Sequence, residues 1–176
     1  MKATKPVKTN AARLLDSLGI AYEVRTYEVD PGDLSAVSVA RKIGMPIEQV
    51  FKTLLTRAAP APGEREATHL FAVIPGDMEL DLKKLAHAAS VKKIELAPLK
   101  DVEPLTGYIR GGVTVMAART AFPAYADETI ELHDVVSVSA GVRGTQLLLS
   151  PADYLRAAGA LVVDLTKPMP AAGVHA

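Results

Sequence analysis

The chain has 176 residues, a size that suits one domain, and hydrophobic residues make up 49% of it, enough for a core without disulfides or a structural metal. Formal net charge is zero and cysteine is absent. That excludes a strongly basic, sequence-blind nucleic-acid binder such as a DNA-coating protein, a cysteine nucleophile and thiolate metal sites. The four histidines, His69, His87, His133 and His175, show no metal-ligand spacing, so no metal and no cofactor is expected. Met1 to Lys8 is basic without the apolar run of a signal peptide, and no stretch is apolar enough to span a membrane. The expectation is a cytoplasmic protein with no membrane and no DNA partner.

Thr9 to Leu18 reads as a helix: Thr9 caps it, Ala11, Leu14, Leu15 and Leu18 form an apolar stripe, and Gly19 ends it. Ile20 to Val29 reads as a strand with Tyr22 and Val24 on one face and Glu23, Arg25 and Tyr27 on the other. Asp30 to Asp33 is a turn. Ser35 to Ile43 is a helix closed by Gly44, and Pro46 opens a short helix through Gln49.

Val50 to Arg57 reads as a buried strand with a lysine inside it, Lys52, among Phe51, Leu54 and Leu55. Burying an ammonium is costly without a partner or a ligand. By itself the stretch fits a lysine whose stem lies along the sheet while its head reaches water. It also fits a cation aimed into a cleft, toward a phosphate, a carboxylate or a polarised carbonyl.

A Pro-, Ala- and Gly-rich loop, Ala58 to Ala67, leads to an apolar central strand, Thr68 to Ile74. Asp81 caps a helix through Ala89, Lys92 to Leu96 is a short strand, and Pro98 to Glu103 is a short helix stopped by Pro104. Thr129 to Leu132, Val135 to Ser139, Thr145 to Leu149 and Leu161 to Leu165 read as strands, and Ser150-Pro151 opens a last helix through Ala158. About eight strands with irregularly interspersed helices predict a mixed α/β fold, its sheet largely antiparallel with helices packed outside. Residues 1–166 are expected to form one domain and 167–176 a flexible tail.

No G-x-S-x-G, Walker or dinucleotide-binding motif is present, and no carboxylates form an evident acid–base pair. Two glycine-bearing turns remain, Gly107 to Gly112 and Ser139 to Gly144. Their backbone N–H groups suit an anion or a developing oxyanion, although each alone also reads as ordinary turn chemistry. Ser139 has no sequence-adjacent base, which speaks against a serine nucleophile. Tyr27 alone reads as a strand-edge aromatic.

The order of these pieces resembles the YbaK/EbsC family of aminoacyl-tRNA deacylases, in particular the bacterial Cys-tRNA(Pro) deacylases. The resemblance runs from about Thr9 to Asp164. It rests on Thr26-Tyr27-Glu28-Val29-Asp30-Pro31, Phe51-Lys52-Thr53-Leu54-Leu55, Leu82-Lys83-Lys84, Thr106 through Gly112, and Ser139-Ala140-Gly141-Val142-Arg143-Gly144. It implies a barrel-like mixed sheet with flanking helices. It also implies a pocket with Lys52, Tyr27, Gly111 and Gly112 in catalytic places and Thr53, Ser139, Gly141 and Gln146 binding substrate. Three positions depart from those deacylases. Gln146 stands for an aspartate, Val142 for a lysine, and Val113-Thr114-Val115 for a segment with Ser-Pro.

The function implied is trans-acting editing: deacylation of Cys-tRNA(Pro), or of Cys-tRNA(Cys) as well, in which the substrate's own thiol attacks the ester. Removal of alanine or another amino acid from mischarged tRNA is the alternative within the class, and a non-catalytic RNA- or nucleotide-binding module the alternative outside it. The implied partners are the aminoacyl-tRNA acceptor end and prolyl-tRNA synthetase. Local basic clusters that suit RNA are Lys83/Lys84 and Lys92/Lys93.

Overall fold

The computed structural model of the chain describes residues 8–170. Helix α1 (Asn10–Ser17) begins where the Thr9 side chain accepts a hydrogen bond from the Ala12 N–H at 3.2 Å, and it buries Ala11, Ala12 and Leu15. Strand β1 is only Glu23–Thr26, shorter than the expected Ile20 to Val29. It is bounded by its partner β8 (Thr145–Leu149), whose first residue lies opposite Thr26. Helix α2 (Ala36–Ile43) starts one residue later than expected, with Ser35 as its N-cap, and is closed by Gly44 as expected.

Strands β2 (Phe51–Ala58) and β3 (Thr68–Pro75) form a long antiparallel hairpin, with Phe51 opposite Pro75 and Ala58 opposite Thr68. β3 is the middle strand of a five-stranded sheet, between β2 and β6 (Ala124–Asp127); β5 (Ile94–Leu96) and β9 (Leu161–Val163) are its edges. Phe71, Ala72, Val73 and Ile74 are all fully buried, because both faces of β3 are covered. β6 runs parallel to β3 and β9; every other pairing of named strands is antiparallel. A second sheet has the order β1, β8, β7 (Val136–Ser139), and a single parallel bridge from Val50 to Ser137 joins it to the start of β2. The two sheets thereby curl into the expected barrel-like mixed fold. Helices α3 (Leu82–Ala88), α4 (Leu99–Thr106) and α5 (Pro151–Ala158) complete it.

Several expectations are corrected. Thr129 to Leu132 is not a strand but part of a 3-10 turn, Glu128–Leu132, and the strand lies just before it as β6. The cause is Asp127, buried, whose Oδ1 accepts from the Thr129 N–H at 3.1 Å and the Thr129 hydroxyl at 2.6 Å. Its Oδ2 accepts from the Leu165 N–H at 2.9 Å, which fastens the C-terminal strands to β6. Helix α4 runs through Pro104 instead of stopping before it. The missing N–H orphans one carbonyl, that of the exposed Lys100. Gly107 ends the helix, and Arg119 donates to the Pro104 carbonyl at 2.9 Å. Leu161 to Leu165 is not the last strand. β10 (Thr166–Pro168) pairs with β4 (Met78–Leu80), so the segment expected to be a tail from 167 onward begins inside a sheet. Residues 171–176 of that segment lie outside the described residues.

Candidate active site

One edge of β2 is paired with β3 along its whole length. The other pairs with β5 only at Thr56, Arg57 and Ala58, and meets β7 only through the Val50–Ser137 bridge. Between those contacts the neighbouring strands diverge, and a cavity of about 540 Å³ opens along Val50 to Leu55. That volume suits a nucleoside-sized ligand. The first residues of α2, the turn residues Arg110 and Gly111, and Ser139 at the end of β7 form further walls, and Leu96, Leu99 and Met169 add exposed apolar surface.

Of the residues expected at the site, Lys52, Thr53, Gly111, Ser139 and Gln146 line this cavity. Lys52 is half-buried, and its ammonium makes no hydrogen bond or ion pair among the described residues. Burial lowers its pKa from the usual 10.5, with Asp77 and Glu79 pulling the other way. The Ser139 Oγ accepts from the Gly141 N–H at 3.2 Å, which fixes the hydroxyl oxygen and leaves its hydrogen to donate. Gln146 is 5% exposed, and its Oε1 accepts from the buried Ser137 hydroxyl at 2.9 Å. Its amide NH₂ is therefore the half left for a ligand.

The two glycine turns, distant in sequence, pack against each other. Gly112 sits so close to the second turn that a Cβ would stand 3.2 Å from Val142 backbone atoms. Gly141 has φ +93°, and a Cβ there would stand 2.8 Å from the Tyr108 ring. The Tyr108 hydroxyl donates to the Met116 carbonyl at 2.7 Å, so the ring that shapes the turn is itself anchored.

Three expected site residues lie outside the wall. Gly112 and Gly141 stand behind it as spacers, and the Gly112 N–H is already donated to the Ile109 carbonyl at 2.9 Å. It is thus spent inside its own turn and is not a free oxyanion donor. Tyr27 follows the end of β1. Its N–H donates to the Gly144 carbonyl at 2.9 Å, its ring packs with the α2 cluster, and Lys42 Nζ lies 5.9 Å from the ring centroid. The chain leaves the strand before Tyr27, which is why the ring meets α2 and not the cavity.

Arg110 is a wall residue that sequence reasoning passed over; a cation directly before a Gly-Gly pair was the available signal. Met169 had no such signal. With Lys52, Arg110 makes two cations in the wall and no carboxylate, an arrangement that favours an anion. Tyr154, fully buried in α5, has a hydroxyl without a hydrogen-bond partner among the described residues. Burial raises its pKa, opposed by the nearby Thr53 hydroxyl. Among the described residues no three His, Asp or Glu side chains converge on a possible metal position, and no helix is long and apolar enough to cross a membrane.

A family model for the aminoacyl-tRNA editing domain matches residues 30–157. The Enterococcus faecalis protein EbsC, whose name proposes a Cys-tRNA(Pro)/Cys-tRNA(Cys) deacylase, is 38% identical over 159 residues, 90% of this chain and 93% of its own. The Escherichia coli protein named multifunctional Ser/Thr-tRNA deacylase ProXp-y is 28% identical, over 88% of this chain and 89% of its own. A solved structure described as a proposed trans-editing enzyme for prolyl-tRNA synthetase has a TM-score of 0.77 at 24% identity, covering 94% of this chain and 99% of that one. That last likeness is one of fold.

Proposed function

The chain belongs to the aminoacyl-tRNA editing domain family, and we propose that it removes cysteine from mischarged tRNA(Pro), acting in trans in the cytoplasm with prolyl-tRNA synthetase as its working partner. The observation that carries this reading is Lys52, an ammonium unpaired among the described residues, in the wall of a largely apolar cavity. Lys52 and Arg110 hold the anionic end of the terminal nucleotide. The Gly111 N–H, which has no backbone partner among the described residues, and the Ser139 hydroxyl face the ester as it gains negative charge. Tyr27, Gly112 and Gly141 act through the wall by holding its elements in place. The nucleophile is the substrate's thiolate. Its sulfur bonds to the ester carbonyl carbon, the carbon–oxygen bond breaks, and the ribose oxygen leaves with a proton as free tRNA and a thiolactone. Turnover of purified cysteinyl-, alanyl- and seryl-tRNA(Pro) tests the reading; no turnover of any of them leaves only a binding module.

Gln146 favours a second reading. Its NH₂ suits a hydroxyl or carbonyl oxygen better than an ammonium, and the E. coli relative is named for serine and threonine. Gln146→Asp is therefore expected to lower the KM for cysteinyl-tRNA(Pro) about fivefold, because a bond to a charged partner gains roughly 1 kcal/mol over a neutral one. An unchanged KM beside strong native activity would detach the ammonium from this position.

The basic clusters divide on inspection. Lys84 Nζ bonds Asp164 at 2.9 Å and the Thr166 carbonyl at 2.6 Å, so it belongs to the fold. Lys83, Lys92 and Lys93 are exposed, and Lys93 shares a cleft with Arg57 and Arg65. Reversing Lys92 and Lys93 together should weaken tRNA binding and flatten the slope of log K against log salt by about one to two. Binding that ignores salt in the unaltered protein would argue against an electrostatic track.

A further inference from the structure

The parity of the β2 ladder identifies which backbone groups face the cavity. The Phe71 N–H is donated away from β2, to the Pro123 carbonyl at 2.8 Å, so Leu55 opposite it occupies a non-hydrogen-bonded position. Alternation then turns the N–H and C=O of Phe51, Thr53 and Leu55 to the outer edge. Two other bonds agree. The Leu55 carbonyl accepts from the Ala97 N–H at 3.0 Å on the outer side, and the Val50 carbonyl accepts from the Gly76 N–H at 2.8 Å on the inner side. Thr53 lies between the last pairing with β5 and the single bridge to β7, and neither strand pairs with it. It lines the cavity. A half-buried residue with both main-chain groups turned to a cavity is a strand position awaiting a partner.

In a hydrogen-bonded antiparallel pair, one residue on each strand exchanges two bonds with the other. An aminoacyl ester carries the matching set, a carbonyl that accepts and an α-ammonium that donates. We propose that the aminoacyl end of the substrate docks on Thr53 as a one-residue β-strand, its carbonyl on the Thr53 N–H and its ammonium on the Thr53 C=O. This rests on the deacylase reading of the cavity. It supplies what the side chains of the wall lack: an acceptor for the ammonium where no carboxylate is present. It also makes recognition of the amino and carbonyl groups independent of the amino acid's side chain, which leaves selectivity to the rest of the wall, Gln146 included.

The probe is 3′-cysteinylamido-3′-deoxyadenosine, whose amide resists deacylation. On titration into ¹⁵N-labelled protein, the Thr53 amide resonance is expected to shift and its hydrogen exchange to slow. A protein with a backbone ester in place of the Thr53 N–H should bind the probe about tenfold more weakly, and Thr53→Pro should do the same. The melting temperature reports whether each variant is folded, and the resonance measurement needs no variant. Binding with the Thr53 resonance unmoved, or equal affinity of a folded ester variant, overturns the docking and leaves the deacylase reading intact. Absence of any binding to the unaltered protein overturns both.

Discussion

Lys52→Ala is expected to lower deacylation by about 10²- to 10³-fold, the usual consequence of removing one preorganised group from an excluded site, while the protein stays folded. The two effects separate because Lys52 has no partner to lose. Among the described residues it holds no carboxylate and no carbonyl, and burial depresses its pKa from 10.5. A base whose folded-state pKa lies below its unfolded value binds its proton less tightly when folded. At neutral pH the charged lysine therefore subtracts from stability. The penalty fades as pH rises from the folded-state pKa toward 10.5, where the unfolded chain also loses the proton. Lys52→Met, which keeps the packing of the stem, should melt at or above the unaltered protein at pH 7, with the difference narrowing in alkaline buffer. A fall in melting temperature with undiminished activity per folded molecule would identify a structural lysine.

Cysteinyl-tRNA(Pro) is expected to be deacylated roughly 10²-fold or more faster than seryl-tRNA(Pro) under matched conditions. The two substrates are nearly isosteric. A thiol with a pKa near 8.5 is a few per cent thiolate at neutral pH, whereas a hydroxyl is essentially un-ionised. Held beside its own carbonyl, the thiolate has the effective concentration of an intramolecular reaction. The protein has no cysteine thiol of its own to compete. Of the wall hydroxyls of Ser35, Thr53 and Ser139, the last bonds among the described residues only to the Gly141 N–H, with no base beside it. The rate should climb with pH through the thiol's ionisation, and thiolactone should appear ahead of free cysteine by mass spectrometry. Equal rates on the two substrates would make protein-activated water the nucleophile. They would also move the assignment toward the serine and threonine specificity for which the E. coli relative is named.

Much of the fold was legible because its signals are local. Thr9 and Asp81 were expected to cap helices and Ser150 to open one, and each does so through a bond to an N–H within three residues. Most of the misreadings share one cause, a partner distant in sequence. Asp127 ends a strand and starts a turn while holding Leu165, 38 positions away, and nothing near it in sequence announces that bond. β4 and β10 are three residues each, too short to carry a period, and exist through each other. Tyr27 was read on a strand whose alternation stops one residue earlier, and it was assigned to the site only through the family resemblance.

The composition and the order of short motifs were enough for the mixed α/β class, the editing family and the oddity of Lys52, because cap chemistry, alternation and a lysine among apolar neighbours are properties of contiguous residues. The state of that lysine was not. It depends on β5 and β7 leaving β2 at different points, which opens the cavity between them. The same divergence makes Thr53 a wall residue through its backbone. The contact of two glycine turns, in turn, removes Gly112 and Gly141 from the wall and leaves Gly111 in it. Pairing between remote strands is set by which long-range bonds close together as the chain collapses, and no single segment contains that information.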